Sequence, residues 1–382
     1  MNIQSIINSK YFKQFLVVVY VVVVLVICRF AKKDAYYDFD IMMYTACVIN
    51  NENMPDEQLH KQTYDLVKKE LGEKKFLQLT DSNNYYRHSV YTSVANFKSQ
   101  LPLYTIKPLY VTLLSIAYRC GFSPFLFSIY INLFSYLAVC AILLIYLNKR
   151  LPFYKAYFAS ATITLLPIVL DSLKSNTPDM LSALFILLSF ILLSASNKRN
   201  HCIAIATLCL SIFIRPENII FIYAFCGVMF ICKAEFYSKK TLVLLFSLAT
   251  ICYLFNSFYY NSYPWSILYK HSFKGQMPNL QDQSATISLK DYIKGYYFIP
   301  KTMFYSDFIL ILFFITYALM NTYERMKQHS LFYLGITLII TILIRLVLYP
   351  DVSSRYTVSI FIVSALLFFS SLEKEKTSKL GA

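Results

Sequence analysis

Charge is scarce in this 382-residue chain: Asp, Glu, Lys and Arg make up 15% of it, against 57% hydrophobic residues. The mean hydropathy of +0.50 lies well outside the soluble range, which leaves no room for a large soluble domain and makes a bilayer protein the default. Acidic residues are the scarcer sign, 21 against 36 basic ones, a formal charge of +15. In a many-spanned protein that excess belongs to cytoplasmic loops, so it does not argue for nucleic acid. None of the nine cysteines forms a CxxC pair, and most lie inside apolar stretches (Cys140, Cys202, Cys209, Cys226, Cys232, Cys252). They read as small buried hydrophobes, which excludes a zinc site and a disulfide framework. Seven glycines and one tryptophan stand against 33 tyrosines and 32 phenylalanines, a bias that reflects the source genome as much as function. No internal repeat or low-complexity tract occurs. No small-residue cleavage site follows Cys28-Arg29-Phe30, so the first apolar run reads as a signal anchor.

What the chain has is apolar runs near the roughly 20 residues that a spanning helix needs. They predict an all-α, polytopic bundle of about ten spans near 13–31, 124–147, 153–171, 178–195, 201–214, 217–232, 240–257, 303–320, 331–349 and 356–372. A shorter run, Leu109 to Tyr118, decides the orientation of everything after it. If it does not span, the cytoplasmic side receives Lys10, Lys13, Lys149, Arg150, Lys155, Lys198, Arg199, Lys233, Lys239, Lys240, Arg325, Lys327, Lys374, Lys376 and Lys379. The short outer loops then hold only Lys174, Arg215 and Arg355. If it spans, thirteen of the inside charges move out. The first arrangement predicts both termini inside, a juxtamembrane helix at 109–118, and two long outer loops at 32–123 and 258–302 of one membrane domain.

The outer segments carry the chemistry. Asp34, Asp38 and Asp40 precede an apolar helical pattern; Asp38 suits an N-cap and Asp40 the first turn. Capping does not need three acids, and a carboxylate near lipid is a natural general base because partial desolvation raises its pKa. Pro55 to Lys75 reads as an amphipathic helix with a solvated, mixed-charge face. Lys107, beside Pro108 at the start of the juxtamembrane helix, suits a lipid phosphate or simple snorkelling. Asp171 and Asp179 face the same side between the third and fourth spans. Arg215 and Glu217 make a tight charged corner at Arg215-Pro216-Glu217. Arg345 lies one turn inside a span and joins Arg355 and Tyr356 at the last outer corner, where Arg355 suits bidentate phosphate binding. The aromatics of 258–302, with Trp265, Lys270, His271 and Lys274, suit sugar platforms.

This order of features resembles the polytopic glycosyltransferases of the GT-C fold, a superfamily that includes bacterial aminoarabinose transferase and protein O-mannosyltransferase. Asp40-Ile-Met-Met-Tyr44-Thr-Ala46 is similar to the family's segment beyond the first span, Ile106-Lys107-Pro108-Leu109-Tyr110 to its juxtamembrane helix, Asn148-Lys149-Arg150 to its basic turn, and Pro178-Asp179 to its next outer corner. The resemblance implies a polyprenyl-phosphate-linked sugar donor, a lipid, glycan or protein acceptor, and an inverting reaction on the outer face of the cytoplasmic membrane. It implies Asp40 as catalytic base with Asp38 as the alternative, Lys107 as a lipid-phosphate ligand, and Asp179, Asp171, Arg215, Glu217, Arg355 and Tyr356 in substrate binding. A divalent metal is not required, since the carboxylates lack ligand spacing and relatives work with and without one. The chain departs from the family in having one proline fewer at Lys107-Pro108 and no soluble domain after the last span. A transporter or flippase of lipid-linked saccharides, or a polysaccharide polymerase using the late loop, are the rival readings.

Overall fold

The first apolar run becomes one unbroken helix, α1 (Lys10–Lys33), in a computed structural model that describes residues 9–50, 54–195, 197–232, 237–297, 299–300, 303, 308–326 and 330–372. Ser9 caps it by accepting from the Phe12 N–H at 3.1 Å. One stripe of α1, Leu16, Tyr20 and Val24, is buried, while Val18, Val22 and Leu25 are exposed, the pattern of a helix with lipid around most of its girth. Tyr20 ties it to the bundle through the Ser160 hydroxyl at 2.7 Å.

Every described regular element is helical. Between α1 and the first helix of the main bundle come six others, five of them short: α2 (Phe39–Ile49), α3 (Asp56–Leu79), α4 (Tyr85–Thr92), α5 (Val94–Gln100), α6 (Pro102–Thr105) and α7 (Pro108–Arg119). The bundle follows as α8 (Pro124–Asn148), α9 (Phe153–Leu165), α10 (Pro167–Lys174), α11 (Asp179–Leu193), α12 (Lys198–Ile214), a 3-10 turn Pro216–Asn218, α13 (Ile219–Ile231) and α14 (Lys239–Tyr259). After the second long loop, with α15 (Trp265–Phe273) and α16 (Leu289–Gly295), come α17 (Phe308–Met326), α18 (Ser330–Leu348) and α19 (Ser354–Ser371).

The described part of each predicted run is thus largely helical, but fewer of the helices qualify as spans by length and composition. Four do: α1, α8, α14 and Leu331–Leu348 of α18. The pair α9–α10, bent by 55°, makes a fifth if counted as one. The bend follows from Pro167, which removes an amide donor and forces Leu166 into extended backbone. Other runs are cut short by their own punctuation, α11 beginning only after Pro178 and α12 ending at Arg215-Pro216. These shorter helices lie deep in the bundle, where Ile186, Leu187, Phe190, Leu208 and Ile212 join one large apolar core with α8, α17 and α19. Of the positive charges assigned to the inside, Lys233, Lys327, Lys374, Lys376 and Lys379 lie outside the described residues.

A second apolar core lies within the first long loop. Ile41, Met42, Met43, Tyr44 and Ala46 of α2 are wholly buried against α3, α7 and the loop's other helices, and Leu181 and Ile214 join this core to the bundle. The polar helix α3 presents an inward face of Leu59, Tyr64 and Val67, and it kinks at Gly72, whose φ of +78° suits glycine alone. His60 packs on Phe97 rather than forming part of a solvated face. At 12 residues, about 18 Å, α7 is too short to cross a bilayer.

The second long loop is fastened to the first. Gln100 donates to the Pro278 carbonyl at 2.7 Å and accepts from the Tyr86 hydroxyl at 3.0 Å, while Ser99 Oγ accepts from the Leu280 N–H at 3.2 Å. The two loops therefore share one end of the bundle, and the carboxyl ends of α1, α14 and α18 lie there with them.

Candidate functional site

Five residues separate the end of α1 from the start of α2, which presents Asp38 and Asp40 at the loop end of the bundle. Asp38 occupies the N-cap position, yet its side chain makes no capping hydrogen bond, and among the described residues its carboxylate has no hydrogen-bonded or ion-paired partner. Burial, then the neighbouring Asp40, raise its pKa, with Arg355 opposing. Asp40, two residues on, is fully engaged. Arg355 Nη2 donates to its Oδ2 at 2.5 Å and Tyr104 Oη to its Oδ1 at 2.9 Å. Burial pushes this carboxyl up, but Arg355 and Lys107 outweigh burial and hold it at about 2.

Arg355, at the start of α19, bridges to a second acid, its Nε lying 3.5 Å from Asp179 Oδ2. Asp179 is only 1% exposed at the first position of α11. It also pairs with Arg215 Nη2 and accepts from the Thr177 hydroxyl at 2.6 Å. Arg215, at the end of α12, in turn donates to Glu217 Oε1 at 2.8 Å. The Tyr356 ring lies between two guanidinium groups, with Arg215 5.0 Å and Arg345 5.2 Å from its centre, and Arg345 donates to the Tyr356 carbonyl. Asp40, Arg355, Asp179, Arg215 and Glu217 form one continuous chain of alternating charge, drawn from four segments far apart in sequence. A narrow cleft beside it is lined by Arg215, Glu217, Arg345, Arg355 and Tyr356.

Lys107 completes the site from the start of α7. Its Nζ donates to the Tyr44 hydroxyl at 2.9 Å and lies 5.3 Å from the centres of the Tyr44 and Tyr104 rings, with no ion-pair partner among the described residues. Burial, then repulsion from Arg215, lower its pKa below the usual lysine value, while Asp40 opposes them. An ammonium held over two phenol rings and lacking a carboxylate partner is poised to accept an anion. His271 closes the outer side against the Tyr86 ring, its Nδ1 accepting from the Met277 N–H at 3.1 Å and its pKa pushed down to about 4 by burial.

Eight of the nine residues singled out in the sequence therefore converge. The ninth, Asp171, has an exposed side chain and contributes its backbone carbonyl, which accepts from Tyr36 Oη at 2.8 Å. Sequence reasoning missed Tyr104 and Thr177, which hold the two acids; each is an ordinary polar residue in a loop, and no spacing distinguishes it. Of the late loop's tyrosines, Tyr259 and Tyr297 are exposed while three others are engaged within the protein. Tyr269 is buried, and the hydroxyls of Tyr292 and Tyr296 donate to the Val347 carbonyl at the end of α18. Among the described residues no three of His, Cys, Asp and Glu converge closely enough to hold a metal ion. The chain matches no protein-family model, no curated protein and no solved structure.

Proposed function

We propose that this chain is a membrane glycosyltransferase of the GT-C kind, with about ten spans. It moves a sugar from a polyprenyl-phosphate donor to a lipid, glycan or protein acceptor on the outer face of the cytoplasmic membrane. The observation that carries this reading is the linked set of carboxylates and arginines gathered from four segments at one end of an apolar bundle, beside a lysine without an anionic partner. Charges gathered at the helix ends, rather than at the midplane, support an enzyme over a transporter. Loops of 32–123 and 258–302 on the outer side, and both termini on the inner, follow from the distribution of Lys and Arg.

In this reading Lys107 and Arg355 take the donor phosphate. Asp40 is the base, receiving the acceptor hydroxyl's proton as that oxygen attacks the anomeric carbon, with prenyl phosphate leaving from the opposite face. Paired with Arg355, Asp40 is too weak a base to serve. A donor phosphate competing for the guanidinium loosens the pair, so the carboxylate becomes basic only beside a bound donor. Asp38 is the second reading, favoured by its unpartnered carboxylate and raised pKa.

Membranes bearing the wild type, Asp40→Asn or Asp38→Asn are given a labelled prenyl-phosphate sugar, and transfer to lipid, glycan or protein is measured. Loss of about a hundredfold or more in Asp40→Asn supports the first reading; the same loss confined to Asp38→Asn moves the base by two residues. No transfer by the wild type from any prenyl-phosphate sugar overturns the proposal.

A further inference from the structure

Late in the second long loop, the short helix α16 has an unusual surface. On α16, Asp291, Tyr292 and Gly295 turn inward, while Leu289 (73% exposed), Ile293 (49%) and Tyr297 just beyond the helix (76%) share an exposed arc with Lys290 and Lys294. Apolar side chains bordered by lysines on one arc have the distribution that suits the boundary between hydrocarbon and phosphate. The loop's level in the molecule is fixed independently. Trp265 Nε1 donates to the Leu348 carbonyl at 2.7 Å, and Tyr292 and Tyr296 donate to the Val347 carbonyl at 2.5 and 3.0 Å. Those carbonyls belong to the last turn of α18 and lack helical partners of their own. α18 is one of the helices long and apolar enough to cross a membrane, and for a helix that does cross, the last turn lies where the hydrocarbon ends. At the carboxyl end of α14, another such helix, Phe255, Phe258 and Tyr259 are also exposed. Tryptophan and tyrosine at such a level are the usual occupants of the headgroup layer.

We infer that residues 260–297, after α14, are an interfacial element seated in the headgroup layer, with Leu289, Ile293 and Tyr297 in the upper acyl region and Lys290 and Lys294 binding the phosphates of anionic lipids. The loop is then a flange of the membrane domain that holds the Gln100–Pro278 contact, and the candidate site behind it, at a set depth. This inference requires only that α18 spans, and it stands or falls apart from the reaction proposed above.

The chain's single tryptophan makes the test direct. Full-length protein is placed in nanodiscs whose lipids carry bromine either near the headgroup or near the tail end, as phosphatidylglycerol or phosphatidylcholine, and Trp265 emission is recorded. Bromine near the headgroup is expected to lower the emission about twofold and bromine at the tail end far less. Shallow-brominated phosphatidylglycerol should quench more than the phosphatidylcholine form, and that preference should fall about fivefold for each lysine removed in Lys290→Gln and Lys294→Gln. Both lysine side chains are exposed, so these variants leave the packing intact. Quenching by aqueous iodide with none by either bromine position would overturn the inference in favour of a water-exposed loop or a protein partner. A lipid preference unchanged in the double variant would overturn the role of the lysines.

Discussion

In the proposed reaction Asp40 is a side chain that is both held and asked to act as a base. A base works only when deprotonated, so a rate that depends on it falls as pH drops through its pKa. In the free protein that pKa is about 2, because burial is outweighed by Arg355 and Lys107. The acid limb of kcat/KM, which reports free enzyme, should therefore lie far below the neutral range. The limb of kcat, which reports the donor complex, should lie at higher pH because Arg355 is then shared with phosphate. Coincident limbs would remove the idea that donor binding frees the base. Asp179 is the more deeply buried of the two acids and is held by Arg215, Arg355 and Thr177. Replacing Arg215 by Gln strips it of its main partner. We expect a loss of about 3–5 kcal/mol, read as a lowered Tm in detergent, and partial recovery on adding Asp179→Asn. Most of this site was legible in the sequence, since acids and arginines in apolar surroundings are conspicuous. Which acid pairs with which base was not: Asp40 and Arg355 are 315 residues apart, and nothing local couples them.

Elements were legible to the extent that their signals are local. Apolar runs mark helices, and Pro167 and Pro178 mark where they break or begin. Loop-to-loop attachments have no periodicity to betray them, which is why the late loop looked like a free outer segment while its backbone is in fact clamped on α5. Gln100 is wholly buried and donates to both Pro278 and Met277 carbonyls while accepting from Tyr86. Gln100→Ala leaves those carbonyls without that donor, at about 1 kcal/mol for each bond lost. Hydrogen exchange is expected to quicken over residues 277–287 and to stay unchanged in α8 and α11. Equal exchange in variant and wild type would show that the loop is held elsewhere.

At the scale of the whole molecule, two unrelated constraints bear on orientation. The charge distribution assigns the loops 32–123 and 258–302 to one side of the membrane. The Gln100–Pro278 and Ser99–Leu280 hydrogen bonds bring those same loops together with no reference to a membrane. With the ten spans proposed, a further span at 109–118 would put the loop before it and the loop after α14 on opposite sides, and these bonds could not form. A 12-residue α7 removes that conflict, and the proposed topology then puts the exposed residues Ser82-Asn83 outside and Asn148-Lys149 inside. A protease site inserted between Ser82 and Asn83 should be cut in intact spheroplasts, and one between Asn148 and Lys149 only after the membrane is permeabilised. None of the four residues at the two insertion points belongs to either apolar core. Cleavage in the reverse order would invert the orientation, turn the candidate site to the cytoplasm, and with it exclude acceptors on the outer face.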